Sequence, residues 1–127
     1  AMSTPSTQKY NSITKDFGDG TFARLVVITN ADKVSSVRYD EYFADTQEEI
    51  IDKTLKQFYR QSKYYSADYN WVTGKDFKHY SDDISAAVIV SQKLLQLTPE
   101  IDENAKFAVE LSHYRTLAVE MNQLLGK

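Results

Sequence analysis

The sequence predicts an α+β fold, a small antiparallel sheet built on an N-terminal hairpin and packed against about three helices, the last one long. Three observations predict it. Two β-branched, apolar runs flank a short polar turn between Thr21 and Asp40. Downstream, apolar residues recur every three to four positions, the spacing of one helix face. From Phe107 to Leu125 that spacing continues unbroken. Strands followed by helices place the helices against one face of an antiparallel sheet.

The elements follow in order. Ala1-Met2 reads as an expression remnant, a Met behind an Ala. Ser3 to Gln8 is small, polar and low in complexity, so residues 1–16 read as a flexible leader and 17–127 as one domain. The leader is either a ragged native terminus or what remains once a signal peptide is removed. Gly18-Asp19-Gly20 signals a turn, and Thr21 to Thr29 a strand. Asn30-Ala31-Asp32-Lys33 supplies turn formers, and Val34 to Asp40 a second strand, which makes a hairpin. Alternation puts Ser35, Val37 and Tyr39 on one face and Ser36, Arg38 and Asp40 on the face towards water.

Thr46-x-x-Glu49 fits a capping box, and Ile51, Leu55, Phe58 and Tyr59 follow at helical spacing, so a helix is expected from Thr46. Ser62 to Tyr80 has no clean period and reads as a structured loop with one short strand near Trp71. A second helix is expected from about Ser81, with Asp82 and Asp83 at its positive end, stopping at Thr98-Pro99. The third, about Asp102 to Leu125, carries the stripe Phe107, Leu111, Tyr114, Ala118, Met121 and Leu125, with Gly126 where a C-terminal cap belongs.

Composition removes several function classes. The absence of cysteine excludes a thiol nucleophile, a disulfide scaffold, a zinc finger and an iron–sulfur cluster within these 127 residues. A net charge of -3 argues against a nucleic-acid backbone, which asks for a concentrated basic face. No apolar run approaches the roughly 20 residues of a membrane span. His79 and His113 read as surface or boundary residues, since no nucleophile elbow accompanies them. The acidic groups lack the alternating ligand spacing and turn glycine of a calcium loop. Gly18-Asp19-Gly20 is too short to cradle a phosphate and leads into a strand. Eleven of the sixteen aromatic residues lie between Tyr39 and Tyr80, which fits either an aromatic core or a stacking surface for a flat ligand, sugar or peptide.

The order of motifs is similar to that of a known family. Asp19-Gly20-Thr21-Phe22, a strand, a polar turn and Lys33-Val34-Ser35-Ser36-Val37-Arg38-Tyr39-Asp40-Glu41 resemble the opening of the FMN-binding domains of bacterial surface lipoproteins. Ser62 to Asn70 resembles the family's Lys-containing stretch ending in Tyr-Asn. Asp82 to Ser91 occupies the slot of its flavin signature, Asp-x-Val-Ser-Gly-Ala-Thr-x-Thr-Ser, at a helix start. In that family the signature Thr carries FMN through a phosphoester bond. Here the slot holds Val88, which has no oxygen, while Ala86 replaces Gly and Val90 the following Thr. The resemblance therefore implies a vestigial cofactor site at Ser85, Ala86, Val88 and Ser91, flanked by Tyr65, Tyr69 and Trp71, with covalent flavin lost. The implied protein is a non-enzymatic binding or assembly domain outside a bacterial cell, held at the membrane by a lipid anchor on an upstream Cys. Its partner would be a protein or a small flat ligand and not nucleic acid. The alternative is a non-covalent FMN carrier in extracellular electron transfer.

Overall fold

The computed structural model describes residues 8–18 and 20–126. Three strands, β1 (Gln8–Asp16), β2 (Thr21–Asn30) and β3 (Lys33–Phe43), form an antiparallel meander in the order β1-β2-β3. Four helices follow: α1 (Ala67–Thr73), α2 (Phe77–Ser91), α3 (Pro99–Asp102) and the long C-terminal α4 (Ala108–Leu124). The α+β class is as the sequence predicts.

The first correction falls in the leader. Residues 8–16 form β1, paired with β2 from Gln8↔Asn30 to Asp16↔Phe22, and only residues 1–7 of the expected leader lie outside the described residues. The segment alternates Asn11, Ile13 and Lys15 against Tyr10, Ser12 and Thr14, and a polar edge strand hides its period behind weak hydrophobicity. Asp19 of the expected turn is also outside the described residues.

The β2–β3 hairpin closes on Ala31 and Asp32, both at positive φ, the backbone a two-residue turn needs to match strand twist. The pairing then shifts: Ile28 faces Ser36 and Thr29 faces Val34, so Ser35 is the extra residue of a bulge. The bulge corrects the expected facing. Ser35 is exposed and donates from Oγ to the Ile28 carbonyl at 3.1 Å, while Val34 and Val37 both turn inward.

The inner face, Ala23, Leu25, Val27, Val37, Tyr39 and Phe43, is buried under α2 and α4. α2 lies along β3 and is tied to it by side chains one to three turns apart. Ser81 Oγ donates to the Tyr39 carbonyl, and Ser85 Oγ donates to the Val37 carbonyl at 2.7 Å. The Gln92 amide takes both main-chain groups of Val34, at 2.7 and 3.0 Å. α4 crosses β1 and β2. Its stripe residues Phe107, Leu111, Tyr114, Ala118 and Met121 are buried and Leu125 is half-buried, joined by Leu117, and Gly126 follows at positive φ.

The helix expected from Thr46 is instead two 3-10 turns, Gln47–Glu49 and Lys53–Phe58. Thr46 bonds the Glu49 carboxylate and caps no amide. Asp52, mid-way along the expected helix, accepts from Thr54 N and Oγ1 at 2.9 and 2.7 Å and restarts the chain there. Ile50 and Phe58 reach the core, whereas Ile51 stays exposed.

No strand forms near Trp71. That segment is α1, capped by Ser66 Oγ, which accepts from Tyr69 N at 3.1 Å, and closed by Gly74 in the left-handed conformation. α2 begins four residues earlier than expected, at Phe77, because Asp76 accepts from His79 N. It ends at left-handed Gln92, and Pro99 opens α3. α4, by contrast, begins later than expected, after a 3-10 turn at Ala105–Phe107 capped by Asn104.

Candidate functional site

The three stretches that carry the family resemblance meet at β3. Adjacent residues on a strand point to opposite faces, and Asp40 and Glu41 use this to hold one loop from both sides. On the outer face Asp40 accepts from Ser62 Oγ at 2.6 Å and from Tyr64 N at 3.2 Å. On the inner face Glu41 accepts from Lys63 Nζ at 2.7 Å, and Lys63 N donates to the Glu41 carbonyl at 2.7 Å. Asn70 closes the loop, donating to the Lys63 and Ser66 carbonyls at 2.9 and 2.7 Å and accepting from Phe77 N at 2.8 Å. Tyr64 donates to Asp82 of α2 at 2.7 Å.

Beneath the sheet lies a buried charge cluster. Glu41 is fully buried, and its carboxylate also takes the Tyr39 hydroxyl and His113 Nδ1, the latter at 3.2 Å. The His113 ring stacks on Phe17 with centroids 3.8 Å apart. Lys63 Nζ is 3.5 Å from Glu110 Oε1, which Lys75 approaches at 3.1 Å, while the buried Glu110 Oε2 has no hydrogen-bond partner. Burial pushes the Glu41 carboxyl up, but His113, Lys63 and Tyr39 together outweigh it and hold its pKa below the usual value. Burial likewise opposes the charge on Lys63, yet Glu41, Tyr69 and Glu110 raise its pKa. Asp40 goes the other way, since burial raises it more than Ser62 and Tyr64 lower it. The cluster is charge-paired and buried apart from Lys75 and the edge of His113, which suits a lock between β3, the 62–66 loop and α4 better than a reaction centre.

The sequence-predicted site residues do not assemble into one pocket. Val88 is fully buried in the core and Ser85 is spent on β3. Ala86 and Ser91 line an open groove of about 560 Å³ with Asp83, Val90, Leu97 and Glu100. The Ser91 hydroxyl is engaged with the main chain of Lys93 and Gln96. Tyr69 is 2% exposed, its ring between Phe43 and Phe58. Trp71 is 86% exposed on α1. The signature stretch occupies the middle and end of α2, so it does not lie at a helix N-terminus as expected, and its Asp82 and Asp83 are in the second turn. His79 is exposed beside Asp83 at 3.3 Å. Among the described residues no group of three His, Asp or Glu side chains is placed to hold a metal.

Tyr65 belongs to a different surface, one that sequence reasoning passed over. The helices cover the inner face of the sheet, and the outer face remains open. There Tyr10, Arg24, Val26, Arg38, Asp40 and Tyr65 line a hollow of about 250 Å³. Arg24 donates to Tyr10 OH at 3.1 Å and to Ser12 Oγ at 3.3 Å. Arg38 donates to Tyr65 OH and sits 4.6 Å above the centre of the Tyr64 ring. The exposed alternate residues of β3 were the available signal. The placement of β1 beside them, and hence Tyr10, was not legible.

Comparison of the chain with protein-family models, with curated proteins and with solved structures gives no match.

Proposed function

We propose that this chain is a non-catalytic binding or assembly module, a degenerate relative of the FMN-binding domains of bacterial surface lipoproteins that has lost covalent flavin. The observation that carries the reading is the open outer face of the sheet, where tyrosine and arginine side chains converge on a hollow that no helix covers. Loss of flavin is supported by Val88, which has no hydroxyl and lies at zero exposure. Display outside the cell, through a lipid anchor on an upstream Cys, is part of the same proposal and rests on the motif order.

The test is an absorption spectrum of protein purified from its native host. Flavin bands that survive denaturation and acid precipitation would sink the proposal; their absence from the precipitate supports it.

A second reading, FMN held non-covalently for electron transfer, is favoured by the groove of about 560 Å³ beside Ala86 and Ser91. Asp83 and Glu100 on its rim oppose a phosphate there. Titration of micromolar FMN with the protein separates the two readings, because a stacked flavin loses fluorescence and an unbound one keeps it.

A further inference from the structure

We propose that the hollow between Tyr10 and Tyr65 recognises a small organic phosphate monoester, gripped by Arg24 and Arg38. The inference deepens the binding-module reading and rests on it. Arg24 pairs across the ladder with Asp40, and Arg38 with Val26, so the two arginines are diagonal neighbours on one face. Such neighbours stand about 7–8 Å apart at Cα, within reach of a single anion for side chains this long.

Among the described residues neither guanidinium has a carboxylate partner within salt-bridge distance, in a chain whose net charge is -3. Each is held instead by a phenol oxygen, Arg24 by Tyr10 and Arg38 by Tyr65. A phenol that accepts an N–H still has its own O–H to donate. Both Arg–Tyr pairs therefore offer the hollow spare donors from guanidinium and hydroxyl alike. The one carboxylate in the lining, Asp40, accepts at Oδ2 from Ser62 Oγ and at Oδ1 from Tyr64 N, which draws it towards the 62–66 loop, and its single negative charge is outweighed by the two guanidiniums. The lining is thus rich in donors and carries a net positive charge, two guanidiniums against one carboxylate.

A phosphate monoester carries about two negative charges and three strong acceptor oxygens at neutral pH, which matches two guanidiniums and two hydroxyls. Val26 and the tyrosine rings supply an apolar wall for the organic part. A volume of about 250 Å³ limits that part to roughly one ring.

The test is an amide chemical-shift titration of the ¹⁵N-labelled chain at low salt, with phenyl phosphate, inorganic phosphate and phenol as probes. The expected result is saturable shifts at Val26, Arg38 and Tyr65 with phenyl phosphate, weaker ones with inorganic phosphate and none with phenol. Arg24→Gln and Arg38→Gln should each weaken phenyl phosphate by about tenfold, the worth of one charge-assisted contact. Both positions are exposed, so both variants should melt as the parent does. Equal shifts with phenol at this face would overturn the phosphate assignment and leave the binding face standing. Equal affinity for inorganic phosphate, or variants that bind like the parent, would overturn the assignment as well. No shift at this face with any probe would overturn both the assignment and the binding-face reading.

Discussion

Lys63 Nζ lies 2.7 Å from Glu41 Oε1 with both side chains buried, joining the 62–66 loop to the inner face of the sheet near the end of β3. A buried pair is costly to form but costlier to break, because the survivor keeps its charge without a partner. Lys63→Met should therefore lower unfolding free energy by about 3 kcal/mol, read by urea denaturation. Lys75→Met removes a more exposed lysine from the same cluster, 31% exposed, and should cost less than about 1 kcal/mol. Equal losses would mean that burial does not set the value of these contacts.

The same cluster should govern acid stability. Glu41 titrates below its usual value of 4.5 in the folded state, so its contribution is complete above that value. It is lost as the pH falls below 4.5 towards the folded pKa, because the unfolded chain takes up the proton first. Asp40, raised from 3.8, works in the opposite direction and gains relative stability on acidification. Urea midpoints between about pH 5 and 3 should fall steeply for the parent. They should fall less steeply for Glu41→Gln and more steeply for Asp40→Asn. A Glu41→Gln slope equal to the parent's would rule out this carboxylate as the source.

Gly20 should tolerate no side chain. Its φ is +86°, and an added Cβ would lie 2.2 Å from the Glu49 carbonyl oxygen and 2.5 Å from Ile50 Cα. Both are main-chain atoms, so relief requires moving the turn that seats buried Ile50. Gly18 shares a positive φ of +83° but has open space around it. Gly20→Ala should cost at least about 2 kcal/mol more than Gly18→Ala, compared by thermal melting. Similar melting temperatures would show that the 47–50 turn yields freely.

Val88→Thr restores a hydroxyl at the slot where the resembled family carries flavin. Since Val88 is fully buried, the new hydroxyl meets core and not solvent, and its best acceptor is the carbonyl one turn back in α2. The variant should lose about 1 kcal/mol of stability and gain no flavin absorbance when made in the native host. A covalent flavin band in this variant would show that the slot opens in solution.

The elements that were legible in the sequence are those whose signal is local. The β-branched run of β2 and the stripe from Phe107 to Met121 each report their own element, Val37 and Tyr39 are buried on the face that alternation assigns them, and the stripe is buried as read. The caps of α1, Ser66 and Gly74, were also written in the sequence. Seven intervening residues, with Tyr69 and Trp71 among them, hid them. The candidate site was legible in part: the water-facing set Ser36, Arg38 and Asp40 was visible, and its partners on β1 were not, because β1 looks like a polar leader until it pairs.

By itself the sequence determined the α+β class, the hairpin and the long last helix, since residue periodicity states which side of an element avoids water. The tertiary structure alone decided which polar residues would be structural. Glu41 meets Lys63 across 22 positions and His113 across 72, and no local pattern encodes partners so distant. It also decided that Ser85 and Val88 serve the junction between α2 and β3 and the core, because a helix laid along β3 turns those positions inward. The open face that remains, with Arg24 and Arg38 side by side, exists only once three strands have been set in register.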